Sequence, residues 1–180
     1  KTILVISDLH LGAGLNVGKR KNFLEDFHYD KELVEFIEYH GSLHYQERSV
    51  ELIINGDFLD LLAVPFVPYF DDEFWSEEAS LEKLKIIIAA HPEVFDALKN
   101  FLTYPNNTIV YILGNHDAEL IFESLRQYII DIFPEVDRHK FKILLNTNDV
   151  YIPVNGVVIK HGHEYELAHH YDPIKSIATD

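Results

Sequence analysis

Residues 1–12 read Lys-Thr-Ile-Leu-Val-Ile-Ser-Asp-Leu-His-Leu-Gly: a short apolar run, Ile3–Ile6, that breaks at once into Asp8-Leu9-His10. The same event recurs three times. Leu52–Ile54 leads into Asn55-Gly56-Asp57, Ile109–Leu113 into Gly114-Asn115-His116-Asp117, and Val157–Ile159 into His161. The runs are rich in β-branched residues, and unbroken apolarity predicts strands buried on both faces. Each run delivers oxygen or imidazole donors at its carboxyl end, where open α/β sheets place their ligands.

Helical patterns lie between the runs. Asp30 is placed to cap a helix with Leu33, Phe36 and Ile37 on one stripe, and Ser80 to cap Leu81–Ala90. Pro92 suits a first helical position ahead of Val94, Phe95, Leu98, Phe101 and Leu102. A further helix is expected over Ala118–Phe133, stopped by Pro134. Asn106-Asn107 marks a turn, and Asn155-Gly156 between Tyr151–Val154 and Val157–Ile159 marks a hairpin. Strand and helix in alternation predict an α/β fold with a largely parallel sheet, in a single domain over residues 1–180. Within it, 61–105 reads as a helical and aromatic insertion or lid. Its stretch 61–76 carries Phe66, Tyr69, Phe70, Phe74 and Trp75 with two prolines; an aromatic stripe of this kind serves either as core or as a groove wall.

The chain carries 30 acidic and 15 basic residues, a formal charge of −15. That balance disfavours nucleic acid as a partner, which is held by cations that release counterions. It leaves phosphorylated small molecules open, since bound metal reverses the local field. With no cysteine there is neither a disulfide nor a thiolate zinc site, and a cytoplasmic home is the default expectation. No apolar run is long enough to cross a bilayer.

Asp, Asn and His donors suit Mn, Fe, Zn or Ni. In Asp8-Leu9-His10 alternate residues of an extended chain would face one ion. Asp57 has two oxygens and is able to bridge two ions. Gly56 and Gly114 permit tight turns that bring backbone close to the site.

Taken in order, Asp8-Leu9-His10, Gly56-Asp57-Phe58-Leu59-Asp60, Gly114-Asn115-His116-Asp117 and His161-Gly162 resemble the signature of calcineurin-like metallophosphoesterases. The resemblance implies a sandwich of two sheets around a βαβαβ core, flanked by helices. It implies two divalent metal ions sharing Asp57, one also held by Asp8 and His10, the other by Asn115 and His161. His116 would act at the scissile phosphate as the catalytic residue, followed by Asp117. Asp117 and Asp60 match acidic positions that orient neighbours. The reaction implied is hydrolysis of a phosphate ester or pyrophosphate by a metal-bridging hydroxide.

Within that family, Ser7-Asp8-Leu9-His10-Leu11-Gly12 is most similar to UDP-diacylglucosamine pyrophosphatases. This implies a phosphorylated small-molecule or lipid-linked substrate and is compatible with peripheral membrane contact. One departure stands out. The family's closing Gly-His-x-His has no counterpart, because the late Gly162-His163-Glu164-Tyr165 ends in Tyr. The expectation is therefore a C-terminally incomplete domain, continued beyond Asp180 by the loop that supplies both histidines. His163, His169 and His170 are left as solvated or supporting residues. The same gap suits a different class, a catalytically degenerate scaffold or binding module.

Overall fold

The computed structural model describes residues 1–42, 48–64, 76–145 and 150–165. Twelve regular elements are found among them: β1 (Thr2–Ile6), β2 (Asn16–Val17), β3 (Arg20–Lys21), α1 (Asp30–Gly41), β4 (Val50–Asn55), α2 (Glu77–Ala90), α3 (Pro92–Thr103), β5 (Asn107–Ile112), α4 (Glu123–Asp131), β6 (Phe141–Leu144), β7 (Tyr151–Val154) and β8 (Val157–Ile159). Four form a parallel sheet in the order β1-β4-β5-β6. The central pair, β4 and β5, is the most deeply buried, as their continuous apolar runs require.

Alternate side chains of these central strands divide the interior. Leu52, Ile54, Ile109 and Tyr111 enter the main core with Leu33 and Ile37 of α1, Leu84 and Ile87 of α2, and Val94, Phe95, Leu98, Phe101 and Leu102 of α3. Ile53, Val110 and Ile112 point the other way, where Tyr151 and Ile159 of the β7–β8 hairpin pack on them. Helices thus cover one face, and a small antiparallel sheet stacks on the other. At the hairpin tip Gly156 takes φ 85°, the left-handed conformation that a two-residue turn demands.

Several expectations need correction. The parallel sheet's fourth strand is Phe141–Leu144, not Val157–Ile159. The latter pairs antiparallel with β7, and Val158 is 62% exposed. Only its alternate residue, Ile159, reaches the sheet beneath. In β1, at the sheet edge, Val5 is 48% exposed, so that run is not buried on both faces. Ser76, not Ser80, caps α2: its hydroxyl accepts from Ala79 N at 3.2 Å, and Ser80 is buried in the first turn. Asp30 is the first residue of α1 rather than its cap, and its carboxylate turns to His91. The helix expected over Ala118–Phe133 is broken at Phe122, into a 3-10 turn (Ala118–Ile121) and α4. Of the segment 61–76 expected as a lid or groove wall, residues 65–75, with Phe66, Phe70 and Trp75, lie outside the described residues, whereas Leu61 and Val64 are buried in the main core.

Candidate metal centre

Beyond the ends of β1 and β4 the two chains continue side by side. Asp8 N donates to Gly56 O (3.2 Å), His10 N to Asp57 O (2.9 Å), Leu11 N to Phe58 O (2.9 Å), and Asp60 N back to Leu11 O (2.8 Å). Asp8, His10 and Asp57 all adopt positive φ, between 50° and 56°. Such residues cost of order 1–3 kcal/mol each and cluster at functional sites. The Asp8–His10 pair is therefore not an extended dipeptide facing one side, as its spacing suggests; the backbone coils here to turn donors inward.

The loop after β5 locks onto the same place. His116 N donates to Asp57 Oδ1 (2.9 Å), and Leu61 N donates to His116 O (3.1 Å). A Cβ on Gly114 would collide with the Asp57 carboxylate, and one on Gly56, at φ 77°, with the His161 ring. These two glycines are thus demanded by close approach. After β8, His161 Nδ1 hydrogen-bonds to Asn55 O at 2.8 Å, and Asn55 Nδ2 donates to Lys160 O at 3.4 Å.

Together these contacts form one pocket of about 310 Å³, lined by Asp8, His10, Asp57, Asn115, His116, His161, Gly162 and His163. All five expected metal ligands and His116 line it. Asp57 Oδ2 lies 3.4 Å from His161 Nε2 and 3.8 Å from His10 Nε2, so one oxygen sits between two imidazoles. Two sets of donor atoms lie within 4.8 Å of one another: Asp8, Asp57 and His161 in one, His10, Asp60 and His116 in the other. Asp8 thus groups with His161 rather than with His10. Among the described residues no Lys or Arg lines the pocket. A crowded set of acidic oxygens and imidazole nitrogens fits divalent cations.

Asp60 emerges as the organiser. Its Oδ2 is 3.2 Å from His10 Nδ1, its Oδ1 is 3.1 Å from His116 Nδ1, and Oδ1 also accepts from Ala63 N (3.0 Å). The carboxylate hydrogen-bonds the His10 imidazole through Nδ1, which leaves its Nε2 to face the pocket, and stands at ion-pair distance from His116 Nδ1. The two rings meet edge to face at 4.6 Å.

Asp117, paired with His116 in the sequence reading, does not line the pocket; it is fully buried. Oδ1 accepts from Gly114 N (2.6 Å), and Oδ2 from Phe58 N (3.0 Å) and the Tyr111 hydroxyl (2.7 Å). Burial raises its pKa to about 6 against these donors, with the Asp57 charge adding to the rise. Its place makes it a brace between the loops after β4 and β5. Asp117→Ala would leave three buried donors without an acceptor, at about 1 kcal/mol or more each, offset in part by relief from burying a charge. We expect a net loss of about 2–3 kcal/mol, read as a lower denaturant midpoint.

His163, given no role from sequence, is 7% exposed and lines the pocket, with its ring 5.3 Å from that of His161. Its place beside Gly162 in the loop after His161 was the available signal; the missing closing motif drew attention away from it. His169 and His170 lie outside the described residues.

His161 titrates unusually. Burial opposes its charge, but the Asp57 carboxylate and the Asn55 carbonyl outweigh this and raise its pKa to about 9. Asp57 shifts the other way: burial would raise its pKa, but His161 and the His116 N–H hold it below the usual carboxylate range. In the metal-free protein the pair stabilises the fold fully between about pH 4, above which Asp57 is ionised in both states, and about pH 6.5, the ordinary histidine value. This contribution fades as pH rises toward 9. A metal held by His161 would need the neutral imidazole, so its binding would expel the His161 proton. Apparent metal affinity should rise up to about tenfold per pH unit through pH 7–9 and level off above that. Competition titrations across that range check it, and His161→Gln should flatten the slope.

The model of the family Calcineurin-like phosphoesterase matches residues 1–180. No curated protein and no solved structure gave a match. The family model spans the chain end to end, over a mixed α/β fold with these donors at its strand ends: the chain belongs to the calcineurin-like phosphoesterases.

Proposed function

We propose that the pocket holds two divalent metal ions and hydrolyses a phosphate ester or pyrophosphate. Metal-dependent phosphoester hydrolysis is the general chemistry of the family; the number of ions and the residue roles are our reading. The observation that carries it is Asp57 Oδ2 standing between the Nε2 atoms of His161 and His10. A carboxylate so placed is able to serve two ions; the family resemblance would give one Asp8 and His10 and the other Asn115 and His161, whereas Asp8 here stands in one donor group with His161. Ions held there would neutralise phosphoryl oxygens and acidify a water.

The chain's own residues do the rest. Asp60 fixes the tautomer of His10 so that Nε2 is the donor atom, and its charge stands beside His116 Nδ1. His116 then presents Nε2 to the pocket, able to donate a proton or hydrogen bond to the leaving oxygen. The Asp117 brace keeps the Gly114 turn against Asp57, so that Asn115 and His116 are positioned by backbone rather than by long side chains. The donor set suits Mn, Fe, Zn or Ni. For substrate we favour a phosphorylated small molecule or lipid-linked pyrophosphate, supported by the resemblance of residues 7–12.

The competing reading is a degenerate scaffold that keeps the fold without the reaction. Elemental analysis together with hydrolysis of a chromogenic phosphodiester separates the two. We expect about two metal equivalents and turnover that chelation abolishes. Metal-free protein, or loaded protein without turnover on phosphodiester or pyrophosphate substrates, would favour the scaffold.

A further inference from the structure

Two residues beyond His10 the chain leaves the pocket for the β2–β3 hairpin, and its character changes. Residues 9–24 contain no Asp or Glu, in a chain with 30 of them, and carry Lys19, Arg20 and Lys21 in succession. All three are exposed. Around them Phe23 is 82% exposed, Leu15 50% and Leu24 54%. The Lys21 ammonium lies 5.1 Å from the centre of the Phe23 ring.

Large exposed apolar side chains are ordinary on a loose loop, but this one is pinned. Asn22 is buried; its N–H donates to Leu15 O (2.9 Å), its side-chain amide to Gly14 O (3.0 Å), and its side-chain carbonyl accepts from Leu24 N (3.0 Å). Asn22 thereby gathers Leu15, Phe23 and Leu24 around one point. Glu25 is buried as well, and accepts from Gly12 N (3.1 Å) and Gly14 N (2.5 Å). Buried His91 stands 3.5 Å from Glu25 and 2.6 Å from Asp30, which ties the hairpin base to α1 and to the α2–α3 junction. The braced hairpin base thus presents Leu15, Phe23 and Leu24 next to a turn carrying three cations, with Asp26 the nearest exposed acid in sequence.

We propose that this hairpin docks the protein on an anionic lipid bilayer. Phe23, Leu15 and Leu24 would enter the boundary between headgroups and acyl chains, while Lys19, Arg20 and Lys21 meet the headgroup charges. The local charge is complementary to such a surface although the chain as a whole is acidic. Only the segment that meets the membrane counts, since charges beyond about 8 Å are screened at physiological salt. An extended nucleic acid would run on into the acidic remainder, and Leu15 and Leu24 offer its bases no stacking face. Docking here would hold the pocket, which begins at His10, near the membrane surface. The proposal stands independently of the hydrolytic reading, because lipid binding needs no turnover.

Vesicle flotation tests it, with phosphatidylcholine alone against phosphatidylcholine containing one third phosphatidylglycerol. We expect flotation only with anionic vesicles, weakened by high salt. The Lys19→Glu/Lys21→Glu double variant should reduce binding about tenfold or more, and Phe23→Ser should reduce it while leaving hydrolysis of a soluble phosphodiester unchanged. The proposal is overturned if wild type does not distinguish the vesicles, or if both variants float like wild type. It is equally overturned if the substitutions instead abolish oligonucleotide binding, or convert a dimer to monomer without affecting flotation.

Discussion

Asp57→Ala is expected to remove activity more completely than any other single substitution, by more than the ~10²–10³ that losing one transition-state donor costs. The reason is geometric. Asp57 Oδ2 is the one oxygen between the Nε2 atoms of His10 and His161, and Oδ1 anchors the His116 backbone. Truncation removes the shared ligand and frees the loop that carries Asn115 and His116. Metal content should fall for both ions together. His10→Ala removes a ligand from one side only, so part of the metal should remain. Elemental analysis of both variants, with circular dichroism to confirm folding, makes the comparison. Metal content and rate in Asp57→Ala equal to wild type would rule out the bridging role.

The second large effect is expected for His116→Ala, with metal retained and the rate lowered roughly 10²–10⁴-fold. His116 meets Asp60 through Nδ1 and faces the pocket with the rest of its ring, so its loss leaves the proposed ligands in place. The deficit should depend on the leaving group. A nitrophenolate departs without help and should show the smaller loss, whereas an alkoxide that must take a proton should show the larger. Loss of metal in this variant would instead make His116 a ligand. Its membership of a donor group with His10 and Asp60 makes that outcome a sharp test.

The sequence by itself determined the fold class and pointed to six of the residues that line the pocket, Asp8, His10, Asp57, Asn115, His116 and His161. An apolar run of β-branched residues has few ways to be satisfied other than as a buried strand, and a polar donor directly after it must emerge at the strand's end. That logic holds for Asp8, Asp57 and Asn115, because β1, β4 and β5 are parallel neighbours. Gly56 and Gly114 were legible as tight-turn residues, whereas the collisions with His161 and Asp57 that demand them are tertiary. Tertiary structure alone decided the rest, because each remaining feature depends on contacts between segments distant in the chain. Phe141–Leu144, a four-residue stretch interrupted by Lys142, becomes a strand because β5 offers it an edge. Val157–Ile159 has the stronger strand pattern, yet it stacks on the sheet's face through Ile159 instead of joining it. The coiled backbone at Asp8, His10 and Asp57, the Asp60 carboxylate between two imidazoles, and the burial of Asp117 beneath the pocket arise where three loops interlock. Spacing along one segment carries no record of those meetings, which is why Asp8 and His10, two residues apart, fall into different donor groups.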